Sequence, residues 1–465
     1  GGIGMSAIAY ILARRGFPVS GSDVRLSHIT QRLQDEGVHI FWSQAATNLE
    51  FFQPASIANL PQVVCSTAIQ EHNPEYRAAL TLGCPILHRS DLLAALIAQH
   101  RSIAVAGTHG KTTTSSLLGY MLVQADLDPT IVVGGEVGAW QGNAREGQGP
   151  FLVAEADESD GSLVKLAAEI GIVTNIELDH PDHYTSLDDV IDIFRVFRQR
   201  SQVLVGCIDC ETVARSLELD ITYSINAASG ADYIATDIEY HATGTAAQIW
   251  ERGESLGTLK VGLLGQHNLS NALAVLAVGR YLGLDFPVIA ATLETFEGAR
   301  RRFEVRGIHC QITFIDDYAH HPSEIRVTLA AARLRSQADL ESIAGRDRRV
   351  VAVFQPHRYS RTETLMAEFA TAFTDADQVL LTDIYRAGEA NRNGVRGEDL
   401  ATAVRQHHDQ VTYCADFDEL CQSLADILRP GDVVLFLGAG NLNQVIPDVM
   451  AVFTNTVDPA PVLPS

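Results

Sequence analysis

A glycine-rich segment directly after the apolar run Ile103 to Ala106 has the residue types that bind phosphate. Its residues are Gly107, Thr108, His109, Gly110, Lys111, Thr112 and Thr113. Backbone amides exposed by the glycines and by the start of a helix can surround phosphate oxygens, while Lys111 adds a positive charge and Thr112 offers a hydroxyl to magnesium. Because the chain contains only three lysines, an incidental lysine is a weak alternative. The segment predicts a phosphate-binding loop followed by a helix from about Thr114.

Carboxylates and an imidazole follow two further apolar runs of strand length. Glu155 follows the first run, which starts at Phe151, and Asp179 and His180 follow the second, Ile170 to Asn175. Ligands of open parallel sheets bind at the carboxyl ends of the strands, where a carboxylate can hold magnesium. A solvated acidic turn and a structural histidine are the alternatives for each segment alone. Together the segments make Glu155 and His180 candidate magnesium ligands, with Asp179 as a possible orienting partner.

The first residues carry a weaker signal for a pyrophosphate. Gly2, Gly4 and Ala7 open a predicted helix, and Ser22-Asp23 follows the next predicted strand. In dinucleotide-binding folds, such glycines let the helix approach a pyrophosphate, and the later acid meets a ribose. This pattern does not separate NAD from a UDP-sugar, since both carry a pyrophosphate.

Three later segments also combine polar side chains at places where a ligand could bind. Asn268 and Asn271 lie one helical turn apart and could present amides to a base edge, or one could cap the helix. The other two segments follow apolar runs and contain carboxylates, imidazoles and forked guanidinium groups that suit a carboxylate or phosphate. Their members are Asp316, Asp317, His320, His321, His357, Arg358 and Arg361.

Apolar runs of strand length alternate with helical patterns along the whole chain, which is typical of a parallel α/β architecture. The chain has 465 residues, which is more than a single hydrophobic core usually organises. We expect three domains, at residues 1–96, 97–298 and 299–465. The chain opens inside a glycine turn, so we expect that residues including a first strand precede Gly1.

The formal net charge of -23 argues against binding to nucleic acid or to an anionic membrane, because a net acidic surface does not attract either polyanion. No apolar stretch long enough to cross a bilayer and no signal peptide is evident, which favours a cytoplasmic location. Seven cysteines, with Cys207 and Cys210 in a lone Cys-x-x-Cys pair, are expected to be free thiols in a reducing compartment.

Eight short motifs, taken in their order along the chain, resemble those of the Mur ligases of peptidoglycan synthesis. They are Gly-x-x-Gly-Met-Ser, Gly-Thr-His-Gly-Lys-Thr-Thr, Glu-Ala-Asp-Glu-Ser, Thr-Asn-Ile-Glu-x-Asp-His, Gly-x-His-Asn-x-x-Asn, Arg-Arg-Phe, Asp-Asp-Tyr-x-His-His-Pro and Gln-Pro-His-Arg-Tyr-Ser-Arg. The resemblance extends from Gly1 to about Gly440. It implies an N-terminal Rossmann-like domain that binds a UDP-sugar, a central P-loop ATPase-type domain with a mainly parallel sheet, and a C-terminal Rossmann-like domain that closes over the nucleotide.

The resemblance also implies roles for individual residues. The UDP-sugar would contact Gly2, Gly4, Ser22 and Asp23. The ATP phosphates would contact Lys111 and Thr113 in the loop, magnesium would bind Thr112, Glu155 and His180, and the rest of the nucleotide would contact Asn268, Asn271, Arg302 and Asp317. The alanine or the acyl intermediate would face His320, Arg358 and Arg361.

The implied activity is the ATP- and magnesium-dependent ligation of L-alanine to the lactyl carboxylate of UDP-N-acetylmuramate through an acyl phosphate. We expect a monomer or weak homodimer. Family members that add later residues commonly use a carbamylated lysine beyond the Asp-His motif to help bind magnesium. No lysine lies between Lys165 and Lys260, so we do not expect this chain to bind magnesium in that way. Ala319 stands where the family often has glycine, which is a minor departure.

Several alternatives remain at this stage. A tripeptide-recycling Mur ligase usually has a different opening turn, and a folylpolyglutamate synthase should lack the N-terminal UDP-sugar domain. A dinucleotide-binding redox module would explain only the N-terminal glycines. A motor or transporter ATPase fits poorly because Val105 replaces the first glycine of the more common phosphate loop.

Overall fold

The computed structural model describes residues 2–52, 60–181, 183–338 and 348–454, which pack into two compact units. The first unit contains the described residues of Gly1–Glu177, Ser186–Ile234 and Asn271–Thr292, and the second contains those of Leu178–Thr185, Ala235–Ser270 and Leu293–Ser465. Within the described ranges, no helix is both long and apolar enough to span a bilayer.

Helices and mainly parallel strands alternate through the part of the chain that supplies the first unit, and the last strand and the last two helices named below also include residues of the second unit. The helices are α1 (Ile3–Arg14), α2 (His28–Asp35), α3 (Pro74–Leu82), α4 (Arg89–Ala98), α5 (Lys111–Gln124), α6 (Leu187–Arg200), α7 (Glu211–Ser216), α8 (Gln266–Tyr281) and α9 (Phe286–Thr295). The strands are β1 (Ser20–Ser22), β2 (His39–Phe41), β3 (Val63–Cys65), β4 (Ile86–His88), β5 (Arg101–Ala106), β6 (Thr130–Val137), β7 (Gly142–Arg145), β8 (Phe151–Glu155), β9 (Ile170–Val173), β10 (Val203–Cys207), β11 (Ile221–Ser224) and β12 (Tyr233–His241).

The main sheet of the first unit has parallel strands in the order β12-β11-β10-β9-β5-β8-β6, with β7 antiparallel beside β6. All residues of β5 after Arg101 are buried, as expected for a strand covered on both faces. From β5 the chain passes through α5 to β6 on one side, returns to β8 beside β5, and then crosses to β9 on the other side of β5. The carboxyl end of β5 is therefore a topological switch point, where α/β sheets bind their ligands.

The helix that follows the phosphate loop begins earlier than the sequence predicted. Helix α5 begins at Lys111 rather than at about Thr114. The reason is Gly110, the residue before the helix, which has the left-handed backbone angle φ 83°. Glycine adopts this angle without strain, so the chain can turn directly from the loop into the helix and place Lys111 and Thr112 in its first turn.

Two short parallel strand pairs, β1 with β2 and β3 with β4, lie in the N-terminal region. Helix α1 of this region contacts strand β7 through the buried side chain of Asn143, whose Nδ2 donates to the carbonyl of Ile3 at 2.5 Å and to Ser6 Oγ at 3.2 Å. This contact fixes the start of α1, where the glycines of the predicted pyrophosphate site lie.

The second unit is built on a six-stranded sheet in the order β15-β16-β20-β17-β18-β19, which is parallel except for β15. Its strands are β15 (Glu304–His309), β16 (Ile312–Asp317), β17 (Val350–Phe354), β18 (Gln378–Thr382), β19 (Val411–Cys414) and β20 (Val433–Leu437), and β13 (Gly244–Glu251) and β14 (Glu254–Val261) form an antiparallel pair. Its helices are α10 (Pro322–Ala338), α11 (Tyr359–Thr364), α12 (Met366–Ala370), α13 (Gly397–Val404), α14 (Phe417–Ile427) and α15 (Ile446–Thr454).

Strand β17 shows why this sheet is stable. Alternate residues of the strand belong to two different apolar clusters: Val350, Ala352 and Phe354 to one, and Val351 and Val353 to the other. Helices therefore cover both faces of the sheet, and the uninterrupted apolar run is explained. The predicted α/β class is confirmed in both units.

Candidate active site

Lys111 is the first residue of helix α5 in the first unit, and its ammonium group has three hydrogen-bond partners in and beside the loop. Nζ donates to the carbonyls of Gly107 at 2.5 Å and Thr108 at 3.0 Å, and to both carboxylate oxygens of Glu158 at 2.8 Å. The side chain of Glu158 is only 2% exposed. Sequence reasoning missed this partner, because its approach to the loop depends on the pairing of β5 with β8.

Burial and charge shift the pKa values of this pair. Burial raises the pKa of Glu158 to about 7, although the positive charge of Lys111 opposes the shift. Burial alone would lower the pKa of Lys111, but the carboxylates of Glu158 and Asp157 outweigh it and raise that pKa. Lys111 is therefore a firmly protonated cation.

Glu155 and Thr112 meet beside the loop. Thr112 Oγ1 donates to Glu155 Oε1 at 3.1 Å, and the backbone amide of Gly134 donates to Glu155 Oε2 at 2.7 Å. A hydroxyl and a carboxylate are the hard oxygen ligands that Mg²⁺ prefers, so the donor set fits the predicted ion. A Cβ atom at Gly134 would lie 2.4 Å from Glu155 Oε1, which explains a glycine inside strand β6.

Residues after strand β9 hold the loop in shape. The backbone amide of His109 donates to Asn175 Oδ1 at 2.8 Å, and Thr174 Oγ1 donates to the His109 carbonyl at 2.6 Å. The backbone amide of Glu177 donates to Thr108 Oγ1 at 2.9 Å. These bonds fix Thr108 and His109, and no local sequence signal identified Thr174 and Asn175 as their partners.

Helix α8 carries the two asparagines predicted to meet adenine. Asn271 lies against the loop, since a Cβ atom at Gly110 would be 2.6 Å from Asn271 Oδ1. The amide of Asn268 donates to the carbonyl of Leu264 at 2.8 Å, so this side chain serves the start of the helix. The structure thus brings Asn271 to the loop and gives Asn268 a local partner.

The predicted UDP-sugar residues lie around helix α1 and strand β1. Gly2 precedes the first residue of α1, and a Cβ atom at Gly4 would lie 2.5 Å from Nη1 of Arg89. Arg89 in turn pairs with Asp157 at 3.4 Å. On β1, Ser22 Oγ donates to Glu75 at 2.6 Å.

The adjacent residue Asp23 accepts a hydrogen bond from the backbone amide of Arg25 at 3.1 Å. Arg89 is a basic residue near Gly4 that sequence reasoning did not select.

A second cluster, in the second unit, is centred on a buried ion pair. Arg361 Nε donates to Asp179 Oδ1 at 2.8 Å, and both side chains are at most 5% exposed. Although burial alone would raise it, the pKa of Asp179 is held well below its usual range by Arg361. Asp179 Oδ2 lies 3.6 Å from His180 Nε2, which is consistent with its predicted orienting role, and Arg361 Nη1 lies 3.3 Å from His357 Nδ1.

Two imidazoles in this cluster are held neutral. Burial lowers the pKa of His320 to about 4 and that of His357 to about 3. The centres of the two rings are 5.9 Å apart. His320 Nδ1 lies 3.0 Å from the carbonyl oxygen of Tyr318. Both rings can serve as neutral hydrogen-bonding groups near Arg361.

Three other predicted residues, Asp317, Arg302 and Arg358, contact neighbours within the second unit. Asp317 accepts hydrogen bonds from the backbone amides of Phe303 at 2.7 Å and Ala319 at 2.8 Å, and burial raises its pKa to about 6. The guanidinium of Arg302 lies 5.2 Å from the centre of the Tyr318 ring. Arg358 Nη1 is 3.6 Å from Glu389.

Comparison with known proteins gives matches along most of the chain. Three family models match in succession: the Mur ligase family catalytic domain over residues 1–101, the Mur ligase middle domain over residues 105–279, and the Mur ligase glutamate ligase domain over residues 301–440. This succession confirms the predicted three-domain order. The boundaries at residues 96/97 and 298/299 stay predictions.

Curated relatives are similar over nearly their full length. The UDP-N-acetylmuramate--L-alanine ligase of Nostoc punctiforme is 62% identical over 464 residues, which are 97% of this chain and 95% of the relative. The protein of the same name from Microcystis aeruginosa is 59% identical over 97% of this chain and 94% of the relative.

Solved structures agree with this similarity. The UDP-N-acetylmuramate-alanine ligase of Thermotoga maritima has a TM-score of 0.81 at 27% identity, covering 98% of both chains. A murein peptide ligase from Psychrobacter arcticus has a TM-score of 0.69 at 22% identity, covering 98% of both chains, which shows the shared fold alone.

Proposed function

The chain belongs to the Mur ligase family, and we propose that it joins L-alanine to the lactyl carboxylate of UDP-N-acetylmuramate, with conversion of ATP to ADP and phosphate. The observation that carries the proposal is the grouping of Lys111, Thr112 and Glu155 at the carboxyl ends of β5 and β8. The choice of acceptor and amino acid is supported by the relatives that share this name at 57–62% identity.

The first chemical task is to activate a carboxylate. A carboxylate resists attack by an amine because it is already anionic and would have to expel oxide. Transfer of the γ-phosphoryl group of ATP onto it creates an acyl phosphate, from which phosphate can leave. Lys111 and the loop amides would neutralise charge on the moving phosphoryl group, a mainly electrostatic task.

Magnesium would be held by Thr112 and Glu155, whose oxygens already lie 3.1 Å apart, and His180 stays a predicted ligand. When bound, the ion supplies positive charge to the phosphate oxygens. The backbone amide of Gly134 fixes the second oxygen of Glu155, so the carboxylate is oriented by the protein itself.

The second task is attack by the alanine amine, which must be neutral. His320 would be a poor proton acceptor at neutral pH, since its pKa of about 4 means that it binds a proton weakly. We propose that His320 instead contacts the amino acid as a neutral hydrogen-bonding group. Arg358 and Arg361 supply the positive charge that suits an amino-acid carboxylate or an acyl phosphate.

A cytoplasmic location and a monomer or weak homodimer complete the proposal. The location follows from the need for ATP and from a family that builds a peptidoglycan precursor.

The activity test is a coupled phosphate-release assay with UDP-N-acetylmuramate, ATP and Mg²⁺, in which L-alanine, L-serine and glycine are supplied in turn. We expect turnover that requires the UDP-sugar and is fastest with L-alanine. Phosphate release that is independent of the UDP-sugar, or that requires a preformed peptide instead of a single amino acid, would contradict the proposal.

A further inference from the structure

The side chain of Glu158 has no role in the activity described so far, yet it makes the closest charged contact with Lys111. Both of its oxygens lie 2.8 Å from Lys111 Nζ. We propose that Glu158 is a positioning residue that competes with the nucleotide phosphates for Lys111 and helps to release the product nucleotide. This inference rests on the proposed function, because it requires that the loop binds ATP and ADP.

The hydrogen-bonding capacity of Lys111 makes the competition unavoidable. A lysine ammonium has three donors. Two are directed to the carbonyls of Gly107 and Thr108, and the third is shared by the two oxygens of Glu158. A phosphate that Lys111 is to bind must therefore displace one of these acceptors.

Glu158 is the acceptor best suited to exchange with a phosphate. The carbonyls of Gly107 and Thr108 belong to the loop backbone, which Thr174 and Asn175 hold in place by hydrogen bonds to His109. A carboxylate at the end of a side chain can rotate away, and it has the same sign of charge as the incoming phosphate. An anion within a few ångströms of a bound phosphate also repels it.

The exchange has a consequence for turnover. When the γ-phosphoryl group has left and product dissociates, the buried carboxylate of Glu158 can return to Lys111. Leaving Lys111 without an anionic partner in this buried place would be costly. Glu158 thus lowers the affinity for nucleotide, and this loss of affinity speeds the release of ADP.

The test is to measure Mg-ADP binding by isothermal titration calorimetry for the wild-type protein, Glu158→Gln and a control, Asp160→Asn. Glutamine keeps the shape of the side chain but loses the charge, so Glu158→Gln should bind Mg-ADP about tenfold more tightly, equivalent to about 1.4 kcal/mol. Asp160 lies in the same acidic turn, but it pairs with Arg89 at 3.5 Å. Its neutralisation should change the affinity by no more than about twofold.

A kinetic measurement accompanies the binding. Glu158→Gln should lower the KM for ATP and also lower kcat, because product release becomes slower. A purely structural defect would weaken binding instead. A second variant, Glu158→Asp, keeps the charge one methylene further from Lys111 and should bind Mg-ADP with an intermediate affinity.

The outcomes separate the inference from the function on which it rests. If the wild-type protein does not bind Mg-ADP, the proposed function fails. If the wild-type protein binds it but Glu158→Gln binds equally or more weakly, or if Asp160→Asn tightens binding as much as Glu158→Gln, the competition proposal is overturned. Should Glu158→Gln not fold, an affinity of Glu158→Asp at or below the wild-type value overturns it.

Discussion

Replacing Arg361 with methionine should destabilise the second unit strongly, because it leaves the carboxylate of Asp179 buried without its cation. The pair is 2.8 Å long, and its side chains are 3% and 5% exposed. Removal of one partner of a buried ion pair costs about 3 to 5 kcal/mol. Methionine keeps most of the side-chain volume, so that the lost charge, rather than a cavity, dominates the effect.

Urea unfolding followed by far-UV circular dichroism measures this loss as a lower transition midpoint. The matched control is Arg195→Met, because Arg195 pairs with Asp192 at a similar distance of 2.9 Å while the two side chains are 54% and 72% exposed. An exposed pair contributes at most about 1 kcal/mol. Equal shifts of the midpoint for the two variants would refute the reasoning from burial.

The pH dependence of the same variant has a definite sign. Since the pKa of Asp179 is lowered in the folded protein, the pair stabilises the fold above the ordinary aspartate pKa of about 3.9. This stabilisation is lost as the pH falls below that value, because the unfolded state then takes up a proton that the folded state rejects. The difference in stability between wild type and Arg361→Met should therefore shrink on acidification from pH 7 to below pH 4.

Other predictions concern the first unit. Gly134→Ala should raise the Mg²⁺ concentration needed for half-maximal activity at least about tenfold, equivalent to about 1.4 kcal/mol, because the new Cβ would lie 2.4 Å from Glu155 Oε1. Gly138→Ala, whose Cβ meets nothing within 4 Å, should leave that requirement unchanged, and equal effects of the two changes in a magnesium titration would count against the site. The difference in Mg-ADP affinity between Glu158→Gln and the wild type should decrease as the pH is lowered from 8 to 6. The pKa of Glu158 is about 7, with Lys111 and Asp157 as its charged neighbours, so the wild-type carboxylate itself becomes neutral over this range. A calorimetric difference that is constant over this range would show that the charge of Glu158 is not the cause.

Local patterns were sufficient to predict the strands and the loop. The apolar runs that start at Ile103 and Ile170 lie in strands β5 and β9, because an uninterrupted apolar run between polar turns leaves few alternatives. The start of α5 was placed three residues too late, since the left-handed angle of Gly110 depends on how the loop closes.

The long-range contacts could not be predicted from the sequence. Glu158 reaches Lys111 because β5 and β8 pair, and Gly134 contacts Glu155 because β6 lies beside β8. The partner of Asp179 is 182 residues away at Arg361. Each residue type could be recognised as capable of chemistry, but which pairs would meet depended on the order of strands in the sheet.

The most direct test of the proposed ligase activity is the replacement of Lys111 with alanine. Phosphate release is measured with ATP, UDP-N-acetylmuramate and L-alanine, and UDP-N-acetylmuramate binding is measured by calorimetry. We predict that Lys111→Ala loses ATP-dependent ligation and still binds the UDP-sugar, while Lys165→Ala, which removes a lysine paired with Asp91, stays active. Normal turnover of Lys111→Ala would contradict the proposed role of Lys111 in ATP-dependent ligation.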